Sequence, residues 1–96
     1  MTESPGGDGV YDVLFTRSAR RALEELLPEA VAAAALEFIA GPLRTDPRRV
    51  GKPLRDPLAP LWSARRGDYR VLYRIVERRL VIEVVSVVHR RDAYRR

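Results

Sequence analysis

Between Val10 and Phe15 apolar and polar positions alternate. Tyr11, Val13 and Phe15 fall on one side and Asp12 on the other, the period-two pattern of a half-buried strand. The period changes after Thr16. Ala19, Ala22, Leu23 and Leu26 recur at helical spacing, with Arg17, Arg20, Arg21, Glu24 and Glu25 largely on the other side, so the stripe predicts a helix over 17–26. Thr16 stands at its N-cap, where a hydroxyl accepts from a first-turn amide. Pro28 suits the first position of a second helix, since its missing N–H would have no intrahelical partner there. Val31, Ala34, Ala35, Phe38 and Ile39 form the buried face of that helix, which runs to Ala40 and is stopped by Gly41-Pro42. Two helices joined by so short a break form an antiparallel hairpin lying across a sheet.

From Leu43 to Pro60 proline and charge dominate, with one short extended piece near Val50 to Leu54. A connection of this length is either functional or a surface tether. Strand patterns return at Leu61 to Arg66 and Tyr69 to Val76, joined across Gly67-Asp68 with glycine at the first turn position. Glu77 to Arg79 turns the chain into Leu80 to Val88, apolar on both faces apart from Glu83 and Ser86, which is the mark of an interior strand. The predicted class is α+β: an N-terminal strand, a helix hairpin packed on an antiparallel-rich four-stranded sheet, and a short C-terminal tail. Met1 to Gly9 reads as a disordered tail and residues 10–96 as one domain.

The chain has 96 residues, enough for a single modest core. Eighteen Lys and Arg against 13 Asp and Glu leave a net charge of +5, which points to an anionic partner, nucleic acid first, or to general solubility. There is no cysteine and one histidine, which excludes disulfides, thiolate nucleophiles, Cys-based zinc sites and histidine-rich metal sites. No apolar stretch approaches the roughly 20 residues of a membrane span, and the N-terminus lacks a signal-peptide pattern, so a cytoplasmic protein is expected. Glycine-rich phosphate loops, H-E-x-x-H and nucleophile elbows are also missing.

Candidate chemistry gathers in the second half. Tyr69, Val71, Tyr73 and Ile75 form a core face, so Arg70 and Arg74 point the other way, where Arg65 joins them. With Arg66, Lys52 and Arg91 they are candidate phosphate ligands, because guanidinium forks match phosphate oxygens. The alternative is a solvated face with partners such as Glu83. His89 follows the interior strand beside Arg90 and Arg91, which disfavour its charged form and suit it to general-base work. Tyr94 can stack on a base, donate a hydrogen bond, or anchor the tail. Trp62 reads as core.

Four segments, in order, resemble the RelE/ParE toxin superfamily. They are Tyr11-Asp12-Val13-Leu14-Phe15-Thr16, Arg49-Val50-Gly51-Lys52-Pro53-Leu54, the stretch from Ser63 through Gly67-Asp68-Tyr69-Arg70-Val71-Leu72-Tyr73-Arg74-Ile75, and His89-Arg90-Arg91-Asp92-Ala93-Tyr94-Arg95. The likeness is to the RelE side, and to its actinobacterial members. It implies a small RelE-like fold and a type II toxin that cuts mRNA in the ribosomal A site, using no metal and no cofactor. It further implies an acidic RelB-like antitoxin as partner, in an oligomer with the toxin, with ribosome and mRNA as targets. By the same resemblance Arg70 holds the scissile phosphate, Arg90 binds phosphate or aids the leaving group, Tyr94 orients the mRNA and Arg65 adds positive potential. RelE carries two lysines on its second strand where this chain has Leu61 and Ser63. His89 therefore takes the role of base, as in the YoeB-like branch, where a glutamate of the preceding loop accompanies it; here Asp56 is the nearby carboxylate. The competing readings are a non-enzymatic ParE-like inhibitor of DNA gyrase and a degenerate toxin kept as an antitoxin-binding subunit. His89, Arg90 and Tyr94 favour cleavage, because a gyrase binder needs no general base.

Overall fold

A computed structural model describes residues 11–89; Met1 to Gly9, Arg90, Arg91 and Tyr94 lie outside the described residues. Strand β1 (Asp12–Phe15) leads into α1 (Arg17–Arg21), which continues as a π-helical turn, Ala22–Leu26. Helix α2 (Glu29–Phe38) likewise widens into a π-helical turn, Ile39–Leu43, before the single-turn α3 (Pro47–Val50). Strands β2 (Lys52–Pro53), β3 (Trp62–Arg66), β4 (Tyr69–Val76) and β5 (Val81–His89) follow, with a 3₁₀ turn at Glu77–Arg79.

Thr16 caps α1 as its position predicts, its Oγ1 accepting from the amide of Ala19 at 3.1 Å. The same hydroxyl donates to the carbonyl of Val85 at 2.7 Å, tying the helix start to β5. The wide turn after Arg21 moves the buried stripe by one residue. The amide of Leu27 reaches back to the carbonyl of Ala22, and Leu27 is buried while Leu26, expected in the stripe, is 60% exposed. Pro28 occupies the N-cap of α2 and not its first turn. Gly41-Pro42 does not stop this helix: the widened turn carries the chain through both residues. Ala32, Ala35, Phe38, Ile39 and Leu43 face the core, and Ala34 faces outward.

The sheet has five strands, not four, in the order β1-β5-β4-β3-β2. The added strand is the short extended piece around Lys52, paired antiparallel to β3. β1 runs parallel to β5, and the other neighbours are antiparallel. β5 is thus interior, as its apolar run predicts. Tyr73, Val71, Ile82 and Val84 pack under Ile39 and Leu43, so the helices cover one face of the sheet and leave the other open. Gly67 turns the β3–β4 hairpin at φ +53°, a conformation in which a Cβ is strained.

One irregularity decides which residues share a face. Leu72 pairs with Ser86 and Tyr73 with Val84, so Val85 is an extra residue on β5, a β-bulge. Strict alternation from buried Ile82 would put Val87 and His89 on the open face beside Glu83. The bulge reverses this: Ser86 and Val88 take the open face, Val87 is buried, and His89 turns to the helix side.

Candidate nucleic-acid interface

Residues directly opposite on neighbouring strands share a face. Arg65 lies opposite Arg70, which lies opposite Val88. The adjacent row is Lys52, Ser63, Leu72 and Ser86, and the next holds Arg74, Glu83 and Leu14. All belong to the face without helices. Arg65 and Arg70 are exposed, and their Cα atoms sit about 4.5–5.5 Å apart, as cross-strand pairs do. Two guanidinium groups opposed in this way repel. Neither forms an ion pair among the described residues. An anion between them removes that repulsion, and the planar forks suit phosphate oxygens. Lys52, also exposed, adds a third cation about 12 Å from Arg70, two strand spacings across the sheet and one row along it.

Arg74 shares the face but is paired there. Its guanidinium donates to Glu83 at 2.8 Å, the cross-strand partnership that the sequence offered as the alternative. The free positive potential is therefore concentrated at the hairpin end.

Arg66 and His89 stand on the other side. Arg66 pairs with Tyr69, and Tyr69 with His89. The Tyr69 hydroxyl donates to the carbonyl of Ala34 in α2 at 3.2 Å, which shows that this row faces the helices. Burial raises the Tyr69 pKa and keeps the phenol neutral. Arg66 lies over the Phe38 ring, 4.6 Å from its centre, a cation–π contact on the helix side. Thus the structure brings Arg65, Arg70 and Lys52 together, pairs off Arg74, and separates Arg66 and His89 from them. The signal for this was legible: Glu83 and Ser86, three apart in an otherwise apolar strand, share a face only if one residue is bulged.

Sequence reasoning also missed what holds Lys52 in place. Tyr73 is fully buried, stacks on Trp62 with ring centres 6.4 Å apart, and donates to the Pro47 carbonyl at 2.6 Å. Burial pushes its pKa up to about 12, so the hydroxyl is a permanent donor near neutrality. Gly51 presses on that hydroxyl and on the Ser63 carbonyl, with no room for a Cβ. At the opposite end of the sheet Arg48 donates to Glu77 at 2.7 Å, and Tyr11 joins the pair. The hydrogen bond from Arg48 holds the Glu77 carboxyl below its usual range, a fastening remote from the arginine pair.

The chain's likeness to known proteins agrees with this architecture. The family model described as ParE toxin of type II toxin–antitoxin system, parDE, matches residues 13–94. A Mycobacterium tuberculosis protein named Toxin RelG is 51% identical over 86 residues, covering 90% of this chain and 98% of the relative. Another from the same organism, Toxin RelE, is 48% identical over 88 residues, covering 92% of this chain and 90% of the relative. A chain of the toxin–antitoxin complex RelBE2 from Mycobacterium tuberculosis superposes with a TM-score of 0.80 at 49% identity, over 84% of this chain and 99% of the other.

Proposed function

The chain belongs to the ParE toxin family of type II toxin–antitoxin systems, on its RelE side, and on that footing we propose that it is a ribosome-dependent endoribonuclease cutting mRNA in the A site. The observation that carries this reading is the exposed Arg65–Arg70 pair without a carboxylate partner among the described residues, flanked by Lys52. The names of two relatives at about half identity, RelE and RelG, support the RelE side.

The reaction is the one the RelE resemblance implies, and the groups present fit it. A ribose 2′-OH loses its proton to a base and attacks the adjacent phosphorus, and the bond to the 5′-oxygen of the next nucleotide breaks. That oxygen takes up a proton from the protonated base or from water, so the products are a cyclic phosphate and a free 5′-OH. Negative charge builds on the non-bridging oxygens as the phosphorus becomes five-coordinate. Arg70 and Arg65, fixed on paired strands, meet that charge without reorganising. Lys52 binds the phosphate backbone. For the proton of the 2′-OH we propose His89, the last residue of β5. It is on the helix side of β5 while Arg70 is on the open face, so for both to serve one phosphate the imidazole must reach round the end of the strand. Arg90 and Tyr94 complete the proposed site, with Arg91 as a further phosphate ligand.

The reading sets the protein in the cytoplasm with its ribosomal target. The related RelBE2 structure is a toxin–antitoxin complex, and the partner proposed here is likewise a RelB-like antitoxin, acidic enough to cover the arginine face. A second reading, inhibition of DNA gyrase without catalysis, takes its support from the ParE family model, since one fold hosts both activities. Primer extension on translated mRNA separates them. Cuts within the A-site codon that need programmed ribosomes support the nuclease, whereas no cuts together with loss of gyrase supercoiling support the inhibitor. His89→Gln is expected to abolish cleavage in a folded protein; full activity in that variant removes His89 from the mechanism.

A further inference from the structure

Strand β2 is an unusually weak attachment for a functional cation. It has two residues, one of them Pro53, which has no N–H to give to the ladder. Lys52 and Pro53 are both exposed, so little apolar burial holds them. On the β3 side the next backbone tie is from the Leu54 amide to Leu61.

What fastens the other end is a single buried phenol. Tyr73, on β4 beneath the helices, sends its hydroxyl to the Pro47 carbonyl at the start of α3. Gly51, at the end of α3 and directly before Lys52, rests against the same hydroxyl, where any Cβ would collide. Both ends of the one-turn helix are thus referred to one oxygen. The sheet's alternation puts Tyr73 on the covered face and Lys52 on the open one, so neither touches the other.

We propose that Tyr73 is a positioning residue for RNA binding, holding Lys52 in register beside Ser63, one row along the open face from the arginine pair, through the Pro47 carbonyl and Gly51. This rests on the RNA-cleaving reading above. Without the hydroxyl the segment 47–53 keeps its chain connections but loses the point that sets its height on the sheet. Lys52 then leaves the phosphate path while Arg65 and Arg70 stay.

The test is the salt dependence of binding to a fluorescein-labelled single-stranded RNA, followed by anisotropy, for the full chain and for Lys52→Ala, Tyr73→Phe and the double variant. Each lost phosphate contact lowers the slope of log K against log salt by about 0.7. Lys52→Ala and Tyr73→Phe are each expected to lower it by that amount, and the double variant by no more than either alone. A merely structural role for Tyr73 would weaken folding without changing the slope. An unchanged slope in Tyr73→Phe, or losses that add in the double variant, overturns the proposal. If Tyr73→Phe does not fold by circular dichroism, 4-fluorophenylalanine at position 73, which fills the hydroxyl's place without a proton to donate, replaces it under the same criteria. Ribosome-dependent cleavage by the unaltered protein is scored in parallel. Its absence counts against the nuclease reading, while the slopes decide the role of Tyr73 independently.

Discussion

Thr16 performs two tasks with one hydroxyl, and a substitution series separates them. Its oxygen accepts from the Ala19 amide at 3.1 Å, closing the N-terminus of α1, and its proton goes to the carbonyl of bulged Val85 at 2.7 Å. Thr16→Val keeps the shape and removes both bonds. Loss of a helix cap costs about 1 kcal/mol. A part-buried carbonyl left without its donor costs about 1–3 kcal/mol more. The expected total is about 2–4 kcal/mol, equivalent to a fall in Tm of at least about 8 °C for a domain of this size. Thr16→Ser retains both bonds and should lie within about 0.5 kcal/mol of the parent protein. Thr16→Asp restores the cap but sets a carboxylate against the Val85 carbonyl, so it should rank with Val or below it, not with Ser. Urea denaturation at neutral pH measures all three, and an unchanged m-value confirms that the comparison is between native states. Should Thr16→Val lose less than about 0.5 kcal/mol, or Thr16→Asp match Thr16→Ser, the coupling of cap to bulge would be wrong.

The glycines resist replacement for different reasons: Gly41 is helical and precedes Pro42, whose ring crowds a Cβ on the preceding residue, so Gly41→Ala should bring none of the gain of about 0.5–1 kcal/mol, read in urea melts, that the exchange brings at an unstrained helical site. Gly67→Ala should instead cost about 1–2 kcal/mol, because φ is +53°. Arg65→Ala and Arg70→Ala should each lower the salt slope of RNA binding by about 0.7, with cleavage falling most in Arg70→Ala, whereas Arg74→Ala, whose partner is Glu83, should leave the slope near that of the parent protein. Tyr73 holds its proton more tightly folded than unfolded, at about 12 against an ordinary value near 10. Its contribution is therefore full below pH 10 and is lost as pH rises through 12, so the parent protein should lose more stability across that window than Tyr73→Phe. Equal alkaline losses in the two would contradict the burial of the phenol.

Much of the fold was legible because it depends on local chemistry. The β1 alternation, the Thr16 cap, the hairpin at Gly67 and the interior placement of β5 follow from residue type and spacing alone. The helix bounds were less legible. Gly41-Pro42 ordinarily ends a helix, but packing of Ile39 and Leu43 against the sheet keeps the chain winding as a wider turn. A two-residue strand such as β2 has no periodicity to detect, and only its pairing with β3 defines it.

By itself the sequence determined the class, the basic character and the family, together with the set of arginines and the single histidine from which a site must be drawn. Tertiary structure decided which of them meet. A side chain's face depends on register, and register is a property of strand pairs; one extra residue at Val85 reverses every position after it. That bulge, which Thr16 satisfies from the far end of β1, puts His89 with Tyr69 on the helix side and leaves Arg65 and Arg70 opposed on the open face.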